Sequence, residues 1–381
     1  MKRSFSPVAT GIDVLRAEHF KQLAGARVGL ITNHTGLTRE GEATVDILHA
    51  ARQLHLKALF SPEHGIRGEL DENVSDTHDV RTGLPVYSLY GARTRPTTEQ
   101  LHELDALVFD IQDIGTRFYT YISTLGLAME EAMRHRIRFL VLDRPNPIGG
   151  TYLEGPLPDS DKLSFTAYHR IPIRHGLTVG ELARLFHSER SLPGAVEIVP
   201  VQGWHRDGYW DTTGLTWINP SPNMRSAHQA LLYPGIGLLE STNISVGRGT
   251  DTPFEVVGAP WMNGRAIAAD LNARDLPGAR FVPIRLKPRA SVHAGESCGG
   301  INIQIVDRSV FLPITIGLAI AEALRDRHHT EWKAERMGEL LANGSSLQAF
   351  LKGATSDSLL RSWLPDADNF RERIKPVLLY A

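Results

Sequence analysis

Four short stretches of this 381-residue chain gather acids, amides, histidine and arginine. They are Asn33-His34-Thr35-Gly36, Pro62-Glu63-His64-Gly65-Ile66-Arg67-Gly68, the run from Ile111 through Gln112, Asp113, Gly115 and Arg117 to Tyr119, and Arg144-Pro145-Asn146-Pro147. Carboxylates and histidine can move protons, amides can orient a polar ligand, and guanidinium groups can pair an anion bidentately. Glu63 is the leading proton-donor candidate. It follows Pro62, stands beside His64 and is bracketed by Gly65 and Gly68, where the backbone can approach a ligand closely. Asp113 is the first choice for a partner carboxylate, with Asp110 behind it. Each residue also has a structural reading: Asp110 and Asp143 could cap the next helix, Gln112 and Asn146 could satisfy loop backbone, and His64 could be packed.

What precedes each stretch explains why they should meet. The apolar runs 27–32 (RVGLIT), 57–61 (KALFS), 106–110 (ALVFD), 138–143 (RFLVLD) and 196–201 (VEIVPV) read as strands. Amphipathic segments at 42–54, 121–135 and 178–186 alternate with them, as in βαβ units with a parallel sheet. The expected fold class is α/β, a Rossmann-like doubly wound sheet, with ligands at the carboxyl edge where the strand order reverses. From Trp204 the texture changes to WHRDGYWDTTGLTWINPSPNM, a long ordered loop rich in aromatics, Gly and Pro. Strand patterns in FVPIRLKP and INIQIVD and a helix over 314–327 follow. Residues 1–230 are therefore expected to form the catalytic domain, and 231–381 a smaller α+β domain completing the cleft.

Composition narrows the classes. With 41 basic against 43 acidic residues the net charge is -2, which speaks against nucleic acid as a partner. The single Cys298 allows neither an intrachain disulfide nor a cysteine metal cluster. No export signal or membrane span is legible, so the chain as written reads as cytoplasmic, with periplasmic or secreted as the alternative. G-x-G-x-x-G, the phosphate-binding P-loop, H-E-x-x-H and C-x-x-C are all missing, so no cofactor and no metal are expected. Gly295-Glu296-Ser297-Cys298-Gly299 fits the G-x-S-x-G nucleophile elbow, but that elbow needs a helix after its serine. Here a strand-like alternation follows.

The same segments carry a family resemblance. SPEHGIRG, FDIQDIGTRFYTYISTL, VLDRPNPIGG and HGLTVGELARLF resemble the N-terminal domain of the NamZ-type peptidoglycan exo-β-N-acetylmuramidases. WINPSPNM, LLYPGIGLLESTNISVGRGTDTPFEVVGAPW and HAGESCGGINIQIVD resemble that family's later signatures, in family order from about Gly11 onward. The resemblance implies a Rossmann-like domain plus an auxiliary domain, and release of terminal β-1,4-linked N-acetylmuramic acid from non-reducing ends without a cofactor. The implied partners are peptidoglycan-derived saccharides, MurNAc-GlcNAc among them. Family members are commonly exported.

Glycoside hydrolysis calls for a proton donor and usually a second carboxylate. Glu63 is assigned the first role and Asp113 the second, with His64 beside them; assistance from the substrate's acetamido group, or from Tyr119, stays open. Asn33, Arg67, Asp110, Gln112, Arg117, Tyr119, Arg144, Asn146, Asn223 and Arg248 are the expected substrate-binding residues. The lactyl carboxylate of muramic acid should be read by an arginine, with Arg117 ranked first and Arg248 second, ahead of Arg67 and Arg144. Two rival readings are a non-catalytic saccharide-binding protein and a serine hydrolase using Ser297. Since protonating a leaving oxygen needs no Lewis acid, turnover should survive exhaustive chelation. Loss of activity in chelator that a divalent ion restores would overturn this.

Overall fold

The structure is a computed structural model that describes residues 8–63, 65–66 and 76–381. His64 and Arg67 lie outside the described residues. Strands β1 (Arg27–Thr32), β2 (His55–Ser61), β3 (Thr77–His78), β4 (Pro85–Ser88), β5 (Ala106–Asp110), β6 (Arg138–Leu142) and β7 (Val196–Val199) form one sheet in the order β3-β4-β2-β1-β5-β6-β7. Every neighbouring pair is parallel except β3–β4.

Period-two side-chain alternation loads both faces. Val28, Leu30, Ala106, Val108, Leu140 and Leu142 enter one core, beneath the helices Gly11–Ala17 and Thr44–Ala50. Ile31, Leu107, Phe109, Phe139 and Val141 enter the other, beneath the helices Tyr121–Arg134 and Val179–Glu189. A sheet covered on both faces needs runs that are apolar throughout, which is why these strands were legible. β3 and β4 were not. They are two and four residues long, and β4 opens with a proline.

The second sheet is antiparallel, with β8 (Val256–Ala259), β9 (Ala279–Leu286) and β10 (Cys298–Ile305) in the order β8-β10-β9. It packs with the helices Ala227–Ile236, Gly264–Ala273 and Pro313–Arg327 in a core that also takes in Ile114, Phe118, Ile148 and Ile173 from the first layer. β10 starts immediately after Ser297, which is exposed, so the elbow helix does not exist and the serine-hydrolase reading falls.

The chain ends where its first domain needs closing. The helix Ser356–Ile374 puts Leu359 and Trp363 into the second core, then Phe370 and Ile374 into the first. Beyond it, the Leu379 N–H donates to Glu181 Oε1 at 2.9 Å, and Ala381 O accepts the Arg206 N–H at 2.8 Å. The Tyr380 hydroxyl donates to Asp143 Oδ2 at 2.5 Å and accepts the Val201 N–H at 2.9 Å. Asp143 also takes the Thr178 hydroxyl and the Gly180 N–H, so it anchors the start of the Val179–Glu189 helix. Burial moves the Asp143 pKa up to about 6, against the pull of the Tyr380, Gly180 and Thr178 donors.

This sets a pH-dependent expectation. A folded pKa above the unfolded value of about 4 means that Asp143 favours folding when protonated, and loses that contribution as pH rises through about 6. The Tyr380 donor chiefly supports the ionised form. Tyr380→Phe should therefore cost about 1–3 kcal/mol at pH 8 and distinctly less at pH 5. Urea melts at both pH values measure this; equal losses would remove Asp143 from the account.

Candidate active site

β1 and β5 are neighbours, yet the chain leaves β1 towards β2 and leaves β5 towards β6. A crevice opens where strand order reverses in this way, and it is the usual ligand position in open α/β sheets. Thr32 pairs with Asp110 at the carboxyl ends, so Asn33 and the Gln112-Asp113 pair project together just beyond the sheet. All three are at least nine-tenths buried.

Their orientation is fixed by backbone groups. Asn33 Oδ1 accepts the Thr35 N–H at 2.9 Å and its hydroxyl at 2.5 Å, which leaves Nδ2 buried and turned towards the Tyr121 hydroxyl. Gln112 Nε2 donates to the carbonyls of Asp113 and Pro145 at 2.7 and 2.8 Å, leaving Oε1 unpartnered. Asp113 Oδ2 accepts the Gly115 N–H at 2.7 Å, and Oδ1 is unpartnered. Gly115 has φ +82°, and a Cβ there would stand 2.5 Å from Asn146 Oδ1, so this turn requires glycine.

His175 faces Asp113 from below. It is fully buried, and its Nδ1 accepts the Leu177 N–H at 3.1 Å, which assigns the ring proton to Nε2. That nitrogen lies 3.4 Å from Asp113 Oδ2. The segment reaches this place by pairing with the Asp113 turn: Thr116 bridges Arg174, and the Arg117 N–H donates to Ile173 O.

Glu63 follows β2, half-buried, and the Tyr90 hydroxyl bonds to it. Burial first, then Glu63, push the Tyr90 pKa up to about 12. The Glu63 charge also reaches Tyr119, Tyr121, Tyr233 and Arg248, while Tyr119 feels Asp113 as well. Burial raises the pKa values of these three tyrosines, so they stand here as neutral hydroxyls. Glu63 and Asp113 thus both act on Tyr119.

The loop around Ser221 meets Tyr119 and Tyr121. Asn219 O meets His34 Nε2 at 2.6 Å, the Tyr121 hydroxyl donates to Pro220 O at 2.5 Å, and Ser221 stands against Tyr119. Asn223 sits two residues further along this loop, half-buried. From the second domain Arg248 pairs with Glu240 and lies with its guanidinium carbon 5.5 Å from the centre of the Phe254 ring. Burial opposes its charge, but Glu240 outweighs it and holds the Arg248 pKa above the ordinary value.

Several expected binding residues are used otherwise. Arg117 is fully buried and donates to four carbonyls, those of Pro156, Ile171, Leu340 and Leu341. It joins the two domains and cannot read a substrate carboxylate. Arg144 and Asp110 form a buried ion pair at 2.6 Å, with Thr44 on the same carboxylate and Leu37 O on the guanidinium. Asn146 takes the Ile148 N–H and gives to Leu177 O, so it braces its own loop. Gly247 and Gly249 pack against Thr252, Val256 and Ala290 inside the second domain, not across the cleft. Conversely, Tyr90 and His175 were missed. Tyr90 follows the unread β4, and His175 lies in IPIRHG, which follows no strand. HGLTVGELARLF marked its position without giving it a role. No group of three or more His, Cys, Asp or Glu side chains suited to a metal ion occurs among the described residues.

A doubly wound domain with Asp113 beyond its switch point is thus joined to a second domain built on an antiparallel sheet. Residues 28–228 match the family described as exo-β-N-acetylmuramidase NamZ, N-terminal, and residues 231–380 its C-terminal counterpart; the chain belongs to this family. It is 40% identical over 378 residues to the peptidoglycan β-N-acetylmuramidase NamZ of Bacillus subtilis strain 168, covering 98% of this chain and 91% of that one. Two crystal structures of DUF1343 family proteins from Bacteroides fragilis NCTC 9343 share the fold. One has a TM-score of 0.93 at 38% identity with both chains fully covered, and the other 0.80 at 30% identity over 98% and 99% of the two chains.

The Arg117 clamp yields an expectation opposite to a binding role. Arg117→Met should destabilise the protein by at least about 3 kcal/mol, since several buried carbonyls lose their donor together. Melting curves check this, and any folded fraction should lose activity on muramic and glucosamine substrates by the same factor.

Proposed function

We propose that this chain hydrolyses the β-1,4 bond of a terminal N-acetylmuramic acid at the non-reducing end of peptidoglycan fragments, with Glu63 as general acid and Asp113 as the second carboxylate. It is a glycosidase, an exo-β-N-acetylmuramidase by family and by near full-length similarity. The observation that supports these roles is the contrast between the two carboxylates around Tyr119. Asp113 has one oxygen pinned by Gly115 and faced by His175, and its other oxygen is presented unpartnered in a buried crevice. Glu63 stands in a half-buried turn, within reach of the Tyr90 hydroxyl. A rigid, oriented carboxylate suits attack, water activation or charge stabilisation at the sugar, which leaves the second carboxyl to deliver the proton to a departing oxygen.

The second domain, from about residue 231, completes the cleft with Arg248. Arg117 and Arg144 are buried among internal partners, whereas the Arg248 side chain keeps 36% of its surface exposed beside Glu240, so Arg248 is the candidate among the described residues for the lactyl carboxylate. Glu240 holds its guanidinium in place, which lowers the entropy lost when a carboxylate binds.

Glu63→Gln and Asp113→Asn should each lower kcat on a chromogenic N-acetylmuramide by about 10²–10⁴ with melting temperature retained. Near-normal turnover in either folded variant removes that residue from the chemistry. Arg248→Met should reduce kcat/KM for the muramide by about 2–4 kcal/mol, and reduce slow turnover of the glucosamine analogue much less. Equal losses would mean that Arg248 does not read the lactyl group.

A further inference from the structure

The two amides beyond β1 and β5 present opposite hydrogen-bonding faces to the same crevice. Asn33 shows a donor, because its Oδ1 is occupied by both donors of Thr35. Gln112 shows an acceptor, because its Nε2 is occupied by two backbone carbonyls. Flipping Gln112 would set its oxygen against two carbonyls, and flipping Asn33 would set its Nδ2 against the Thr35 N–H. A relay joins them: the Gln112 N–H donates to Thr35 Oγ1 at 3.0 Å, and that hydroxyl donates to Asn33 Oδ1 at 2.5 Å. Asn33 is 2% exposed and Gln112 4%, so each orphaned atom carries the cost of a buried polar group awaiting a partner.

A ligand group that satisfies both must carry one acceptor and one donor. A secondary amide has that pattern. We infer that Asn33 and Gln112 read the 2-acetamido group of the terminal sugar: Asn33 Nδ2 donates to the acetyl carbonyl, and Gln112 Oε1 accepts the amide N–H. Asp113 Oδ1, the third orphaned atom of the crevice, is left facing the reacting centre. The lactyl carboxylate fits this place poorly, because Gln112 Oε1 and Asp113 Oδ1 would both repel it. This inference rests on the glycosidase reading and assigns a specificity that the reading leaves open. Sites built to bond a ligand's polar group reject analogues lacking it far more strongly than apolar pockets reject a missing methylene, because the site's own atoms are then left unpaired.

The isosteric Asn33→Asp variant keeps an oxygen for Thr35 and turns the crevice-facing donor into an acceptor. Its kcat/KM is compared with that of the unaltered protein on a chromogenic N-acetylmuramide and on the matching glycoside with a 2-hydroxyl in place of the acetamido group. The preference for the acetamido substrate should shrink at least about ten-fold. A preference kept within two-fold, whatever the absolute rates, overturns the inference. Should that variant fail to fold, the unaltered protein supplies the test through competitive inhibition by N-acetylmuramic acid and by its 2-O-acetyl counterpart, which lacks only the N–H. The ester should inhibit at least about ten-fold more weakly, and equal inhibition overturns the role of Gln112. No release from the muramide by the unaltered protein would instead sink the glycosidase reading itself.

Discussion

Between β1 and β5 the sheet is continuous, but beyond Thr32 and Asp110 the two chains part, and their backbone groups lose strand partners. Buried peptide groups must be paired somehow, and here side chains do the pairing. Thr35 and Gln112 bond to their neighbours' backbone or to each other, and Asn33 closes the first turn. Asn33 and Gln112 each have one more hydrogen-bonding atom than the backbone needs. The surplus points into the crevice. Site chemistry in this fold is thus a by-product of how the strand ends are sealed, and ligand-facing atoms inherit the rigidity of the backbone they seal.

Around that crevice, charge is distributed in two ways. Asp110–Arg144, Glu154–Arg174 and Glu181–Arg206 are shielded pairs whose members also hold backbone carbonyls or helix starts. Removing one member of such a pair leaves an uncompensated buried charge, so they behave as fixed joints. Asp113 differs in that one of its buried carboxylate oxygens has no hydrogen-bond partner. The distinction lies in what remains unsatisfied, not in residue type or in nearness to a strand end.

That distinction explains what the sequence could show. Continuous apolar runs located β1, β5 and β6 within a residue, because burial on both faces imposes an unmistakable pattern. The rule that ligands gather beyond such strands then singled out Asn33, Glu63, Gln112 and Asp113 as candidates. It could not separate them from Asp110, Arg144 and Arg117, because all are polar residues at the same edge and only the partners tell a joint from a binding group. Arg117 was the costliest confusion. An arginine between an aspartate and a tyrosine looks like an anion reader, yet its guanidinium turns away towards carbonyls more than two hundred residues later in the chain. His175 was hidden for the opposite reason: tertiary pairing with the Asp113 turn, and no periodic signal, puts it there.

The last residues carry a consequence for how the molecule comes into being. Asp143 closes the end of β6 and the start of the following helix, and one of its donors is Tyr380, 237 residues further along the chain. Domains ordinarily fold as units in the order they leave the ribosome. Here the first domain emerges with Asp143, the Val201 N–H and Glu181 short of their final partners, and it waits through the synthesis of the whole second domain for them. The first domain therefore lacks these contacts until residues 379–380 have been made, and removing those two residues takes away partners of Asp143, Val201 and Glu181 together.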